Sequence, residues 1–342
     1  MPSAPASQPR PGGYAVVVGG ANVDVKARSL VEPVSGTSNP GRTVVSSGGV
    51  GRNVAENLAR LGTPTHLVAV VGRDRLGADL LEHTREAGVD VSAVTADADR
   101  TGTYTAVLDH AGELLVAVSD MVASDAMPPS AVDRVRPLLA GAGLVVADGN
   151  LPADTLAHLL DACTELGVAC LLDPVSVPKA ARLAPRLRTG RPVFAVTPNA
   201  DELTALAALP PTSGDSHGPR GSAADLGSPV AALHDRGATH VWVRLGPRGS
   251  VLASPGREPV HLSSAAVPVQ DVTGAGDAML AAFAHGLLRG LDPLDAAREG
   301  HRAAALTVQS PHTVRPDLAE AMAAAVSADD ADPSTPTIER TP

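Results

Sequence analysis

The stretch Val267-Pro-Val-Gln-Asp271-Val-Thr273-Gly274-Ala275-Gly276-Asp277-Ala-Met-Leu-Ala-Ala-Phe283-Ala-His-Gly286 decides how the rest of the chain is read. A glycine-rich turn runs straight into an apolar, Ala-rich segment with helical spacing. The first N–H groups of such a helix have no partner inside it, and with the helix dipole behind them they attract an anion such as phosphate. Asp277 falls at that same mouth, and two readings fit it. In one, Asp277 caps the helix and the glycines only make the turn. In the other, Asp277 is a general base that takes a proton from a hydroxyl, while the backbone of Gly274, Ala275 and Gly276 steadies charge on a transferring phosphoryl group.

Outward from this motif, short β-branched runs alternate with helical periods. Tyr14-Ala-Val-Val-Val-Gly19 reads as a buried strand that ends at Gly19-Gly20-Ala21-Asn22-Val23-Asp24. Ligands of open α/β sheets gather beyond the carboxyl ends of the strands, which places Asn22 and Asp24 to hold a polar substrate. An Asx turn is the other reading of the pair. In Ser46-Ser-Gly48-Gly49-Val50-Gly-Arg52-Asn53-Val54 to Gly62, the residues Val50, Val54, Leu58 and Leu61 share one helical face. The glycines before them let a ligand approach the backbone, and Asn53 in the first turn presents an amide to hydroxyl groups.

From Leu144 to about residue 207, strands alternate with helices, a pattern that calls for a parallel sheet covered on both faces. Polar groups stand at the strand ends: Asp148 and Asn150, Asp173 with Ser176 and Lys179, and Asn199 with Glu202. Asn199 and Glu202 form a capping box or, alternatively, order waters around a Mg²⁺ on nucleotide phosphates. Residues 25–46, read as short exposed strands, and a hairpin over 101–118 are expected to form a small separate sheet, a lid. Pro210 to Ser228, rich in Pro, Gly and Ser, reads as a mobile surface insertion. Residues 1–13 and 328–342 read as disordered tails that flank a domain over 14–327.

Composition narrows the function. The formal charge of −10 speaks against a nucleic-acid backbone or an anionic membrane as partner. One Trp, two Tyr and two Phe leave almost no stacking platform for single strands. No apolar run of membrane-spanning length occurs, and the first residues lack the apolar core of a signal peptide. Cys163 and Cys170 have neither zinc spacing nor a disulfide framework, which fits a reducing cytoplasm. Neither a Walker A loop nor Gly-x-Gly-x-x-Gly is present, so P-loop and Rossmann enzymes are disfavoured.

Three separated stretches, Gly48-Gly-Val-Gly-Arg-Asn53, Asn199-x-x-Glu202 with Gly246-x-x-Gly249, and Asp271-Val-Thr-Gly-Ala-Gly-Asp277, together resemble the ribokinase-like (PfkB) carbohydrate kinases. Gly20-Ala-Asn22-Val-Asp24-Val, Asn39-Pro-Gly41, Asp120-Met121, Val146-Ala-Asp148-Gly-Asn150 and Asp173-Pro-Val-Ser176-Val-Pro-Lys179 add a similarity to the pseudouridine-kinase branch. The resemblance implies a three-layer α/β/α fold with a central, mostly parallel sheet and a small β-sheet lid. It also implies an ATP- and Mg²⁺-dependent kinase of a nucleoside or sugar. Asp24, Gly49 and Asn53, with Asn22 nearby, would hold the ribose, and Asp277 would be the base. Gly274, Ala275 and Gly276 would form the anion hole. Asn199 and Glu202 would manage Mg·ATP, the latter through water, with Gly246 near the nucleotide. Lys179 and Arg52 would contact phosphate or substrate, and Asp271 would sit at a monovalent-cation (K⁺) site. Another ribosyl compound as acceptor, or a non-catalytic nucleoside-binding regulator, are the rival readings. An exposed lid edge makes a homodimer a reasonable assembly.

Overall fold

The computed structural model describes residues 6–208 and 223–331. Its larger sheet has eight strands in the order Val260–Leu262, Ser250–Ala253, Ala238–Arg244, Val193–Val196, Cys170–Asp173, Leu144–Asp148, Ala15–Val18 and Thr65–Val68. From Ala238–Arg244 onward neighbours pair in parallel, and the first two strands pair antiparallel at one edge. The central strands Ala15–Val18, Leu144–Asp148, Cys170–Asp173 and Val193–Val196 are buried along their whole length, as strands covered by helices on both faces are. Alternate residues supply the two cores: Val16, Val18, Val145 and Leu172 on one face, Val17, Val146, Leu171 and Trp242 on the other. The ribokinase-like three-layer fold expected from the motifs is the one observed.

The second sheet has the order Gly41–Gly48, Asn22–Ser29, Gly102–Leu108 and Leu114–Asp120. Its strand Asn22–Ser29 leaves directly from the carboxyl end of Ala15–Val18, so this sheet stands over the edge where ligands collect. Residues 25–46 are more regular than their weak alternation suggests. Two eight-residue strands pair from Asn22↔Gly48 to Ser29↔Gly41, because the ladder, not periodicity, sets their length.

Three boundary expectations change. Residues 6–13 of the expected N-terminal tail are tied down. Arg10 donates to the carbonyls of Ala140 at 3.0 Å, Leu166 at 3.1 Å and Gly167 at 2.8 Å, satisfying helix ends that lack partners. Of the expected insertion, 210–222 lie outside the described residues, whereas 223–228 begin the helix Ala223–Asp235. Leu226, Val230 and Leu233 form a buried helical stripe there, which outweighs the Pro and Gly content. The helix Leu318–Ala331 likewise takes in the first residues of the expected C-terminal tail. Among the described residues, no helix is long and apolar enough to cross a membrane.

Candidate active site

The site begins with a buried carboxylate at the end of Leu144–Asp148. Asp148 Oδ2 accepts from the N–H groups of Gly20 at 2.9 Å and Gly51 at 2.7 Å, and Oδ1 from Asn150 N–H at 2.8 Å. Asp148 thereby joins the turn after Ala15–Val18 to the start of the helix Val50–Arg60. Gly49, with φ +94°, precedes that helix, and a Cβ on it would stand 2.4 Å from Gly20 O. Only glycine allows the two turns to lie this close.

The helix so placed carries Asn53, whose Nδ2 donates to Asp277 Oδ2 at 2.8 Å. Asp277 lies in the first turn of Ala275–Leu288. Its N-cap, Gly274, has φ +82° and no room for a side chain, since a Cβ would stand 1.9 Å from Thr313 O. The half-buried Asp277 carboxyl is pushed up to about 7, chiefly by loss of solvent, with Asp173 and Asp148 adding to the rise. Asn53 and Arg244 oppose it. A carboxyl poised there can exchange a proton near neutral pH beside a helix N-terminus that can receive phosphate.

Arg244 is a candidate site residue that the motifs miss. It ends the strand Ala238–Arg244, and its guanidinium meets Asp173 Oδ2 at 2.9 Å and Glu202 Oε2 at 3.4 Å. Burial works against the cation, yet the two acids hold it charged. The available signal was a lone cation ending the apolar run Val241-Trp-Val-Arg244 at a carboxyl edge. Asn199 and Glu202 do form the reciprocal capping box: Glu202 N–H donates to Asn199 Oδ1 at 2.9 Å, and Asn199 N–H to Glu202 Oε2 at 2.8 Å. Loss of solvent raises the Glu202 pKa, with Arg244 opposing. The cap leaves an oxygen-rich helix end beside Gly246, which starts a tight turn with φ +60°. Oxygen ligands of this kind suit Mg²⁺ held through water rather than a caged metal, and no metal-binding cluster occurs among the described residues.

At the other end of the cleft, Asn22 Nδ2 donates to Asp24 Oδ1 at 2.7 Å. Burial pushes Asp24 up. Lys179 Nζ donates to Asn150 Oδ1, and Asn150 packs on Gly20. Lys179, expected to contact phosphate or substrate, therefore stands at the Asn22 end. Its pKa is lowered by burial. Two further expected residues already have partners. Arg52, read as a phosphate or substrate contact, is 4% exposed and committed to Glu56, Asn53 and Thr84. Asp271 is already engaged: Oδ1 accepts from Thr273 N–H at 2.8 Å and Oδ2 pairs with Lys26 Nζ at 3.3 Å. A monovalent cation seated there would compete with the Lys26 ammonium.

A helix mouth that receives phosphate and a carboxyl that takes a hydroxyl proton need each other in phosphoryl transfer to an alcohol, and fold and site together define a small-molecule kinase. The chain matches the pfkB family carbohydrate kinase over residues 13–320 and belongs to that family. It is 30% identical over 306 residues to pseudouridine kinase of Escherichia coli (strain K12), covering 89% of this chain and 93% of that one. Among solved structures, a carbohydrate kinase from Agrobacterium tumefaciens superposes with TM-score 0.75 at 30% identity, covering 91% of this chain and 96% of that one. Arabidopsis thaliana ribokinase complexed with ribose and ATP does so with TM-score 0.75 at 26% identity, covering 91% and 98%. The protein is an ATP-dependent kinase of a sugar or nucleoside.

Proposed function

We propose that the protein transfers the γ-phosphoryl group of Mg·ATP to the 5′-hydroxyl of pseudouridine. The observation that carries the chemistry is Asp277, poised near neutrality and held by Asn53 at the mouth of Ala275–Leu288. The acceptor is supported by the motif set around Asn22, Asp148 and Lys179 and by the similarity to a pseudouridine kinase.

Asn22, Asp24, Gly49 and Asn53 hold the ribose. Asp277 takes the proton of the 5′-hydroxyl as its oxygen attacks the γ-phosphorus in line. The bond from that phosphorus to the bridging oxygen breaks, and ADP leaves. Negative charge on the phosphoryl oxygens is met by Arg244 and by the N–H groups of Gly274, Gly276 and Ala275, the last turning from its 3.3 Å contact with Val272 O. Asn199 and Glu202 would organise the hydration of the Mg²⁺ that accompanies ATP, and Gly246 would lie near the nucleotide. Asp277 returns its proton to solvent after transfer. The second sheet, acting as a lid, excludes water, which competes as phosphoryl acceptor. Val44, Val45, Leu115, Val116 and Val118 on that sheet are exposed, which supports a homodimer formed through it. The free thiols Cys163 and Cys170 suit a cytoplasmic setting.

A panel of pseudouridine, uridine, adenosine and ribose with Mg·ATP tests the acceptor. Pseudouridine should give the highest kcat/KM, and a clear preference for another ribosyl compound overturns that assignment. Binding of nucleoside without ATP consumption would establish the regulator instead.

A further inference from the structure

We infer that Arg52 is a positioning residue for the proposed base, fixing the side-chain amide of Asn53 so that its NH₂ group faces Asp277. This rests on the reading of Asp277 given above. Arg52 Nη1 donates to Asn53 Oδ1 at 3.0 Å, and Asn53 Nδ2 donates onward to Asp277 Oδ2 at 2.8 Å. An amide can sit in either of two orientations, and its neighbours choose between them. Turned over, Asn53 would set its NH₂ against the guanidinium and its oxygen against the carboxylate. Both contacts repel, so Arg52 excludes that orientation.

Arg52 is itself immobilised. Nε donates to Thr84 Oγ1 at 3.2 Å, Nη1 also reaches Ser47 O at 3.4 Å, and Nη2 pairs with Glu56. Thr84 is anchored on Leu80 O at 2.7 Å, and Glu56 is held from its other side by Arg60 at 3.0 Å. Asn57 Nδ2 fixes the Asn53 carbonyl at 2.9 Å. A relay of side chains thus runs along Val50–Arg60, from the half-buried Arg60 to the carboxylate, and buries the Arg52 guanidinium. Burying a charge is costly unless it is paired and bonded, and here the pairing ends on the amide that holds Asp277.

The other charged groups acting on Asp277 come from the strand ends: Asp173 and Asp148 raise its pKa and Arg244 lowers it. Asn53 also favours the ionised form, so losing its orientation leaves Asp277 harder to ionise.

The test is a double-mutant cycle of Arg52→Met and Asn53→Ala, read as kcat, KM for ATP and the pH profile of kcat/KM. Arg52→Met should lower kcat roughly 10- to 100-fold with KM for ATP nearly unchanged, the scale of a misplaced reacting group. It should move the acid limb of the profile to higher pH. In the Asn53→Ala background the same change should add no further loss, because its target is gone. Additive losses, or an unmoved acid limb, overturn the inference. If Arg52→Met does not fold, Arg52→Lys keeps the charge beside Glu56 while losing the fork; a limb that stays at the wild-type position there overturns the inference equally. The two readings separate cleanly. An active Asp277→Asn variant removes the base itself, whereas an inactive one combined with an additive cycle removes only the role of Arg52.

Discussion

The guanidinium of Arg244 rests against the α-carbon of Gly276, so closely that a Cβ there would stand 2.6 Å from Nη1. A strand end and a helix mouth from distant parts of the chain thereby bring a fixed cation to the place where phosphate is expected to arrive. Gly276 serves the arrangement by having no side chain.

Gly276→Ala therefore tests Arg244 without touching it. Alanine favours the helix by about 1 kcal/mol, so the fold should survive. The displaced guanidinium should cost roughly 100-fold in kcat, as for loss of one stabilising donor. Steady-state kinetics with a thermal melt checks both, and wild-type turnover contradicts the role given to Arg244.

The pH dependence follows from Asp277. With its pKa pushed up to about 7, the carboxyl is protonated below neutrality and cannot accept the hydroxyl proton. The kcat/KM profile should fall with unit slope on the acid side of about pH 7. A limb near the ordinary carboxylate range of about 4 contradicts this placement of Asp277.

Stability should show the same group with the opposite advantage. The folded pKa of about 7 exceeds the ordinary carboxylate value of about 4, so the folded state binds the proton more tightly. That stabilisation is complete below the unfolded pKa and is lost as pH rises through the folded one. Asp277→Asn should raise the melting temperature above wild type at pH 8, and the gain should shrink toward pH 4. An equal gain at every pH argues against an ionised, desolvated carboxylate.

Gly49 combines φ +94° with a backbone neighbour 2.4 Å from any added Cβ. Gly49→Ala should lose about 2 kcal/mol or more in urea denaturation, the strain and the clash adding. An unchanged midpoint would mean that the two turns are not closely packed.

Local chemistry explains what could be read from the sequence. Gly274 and Asp277 are legible because the turn, the helix and the carboxylate lie within four residues of one another. Asn199 and Glu202 form a capping box at its usual spacing, although spacing alone does not separate a cap from a water-organising pair. Asn53 was legible as a first-turn amide, but its partner is 224 residues away and only the topology brings Asp277 to it. Arg52 was expected to contact phosphate or substrate from the motif that it sits in, and a motif does not show that its guanidinium is buried. Arg10 shows the same limit at the N-terminus: a Pro- and Gly-rich stretch reads as loose until the helix carbonyls that it meets are known.

Asp277→Asn offers the most direct measurement of the central claim. Turnover of pseudouridine with Mg·ATP at pH 8 and the affinity for ATP by calorimetry should be read on the same folded variant. The account predicts a fall in kcat of about a thousandfold, within the range that a positioned base supplies, with ATP affinity changed by no more than a few-fold. Turnover within tenfold of the wild type would show that some other group, or none, takes the hydroxyl proton.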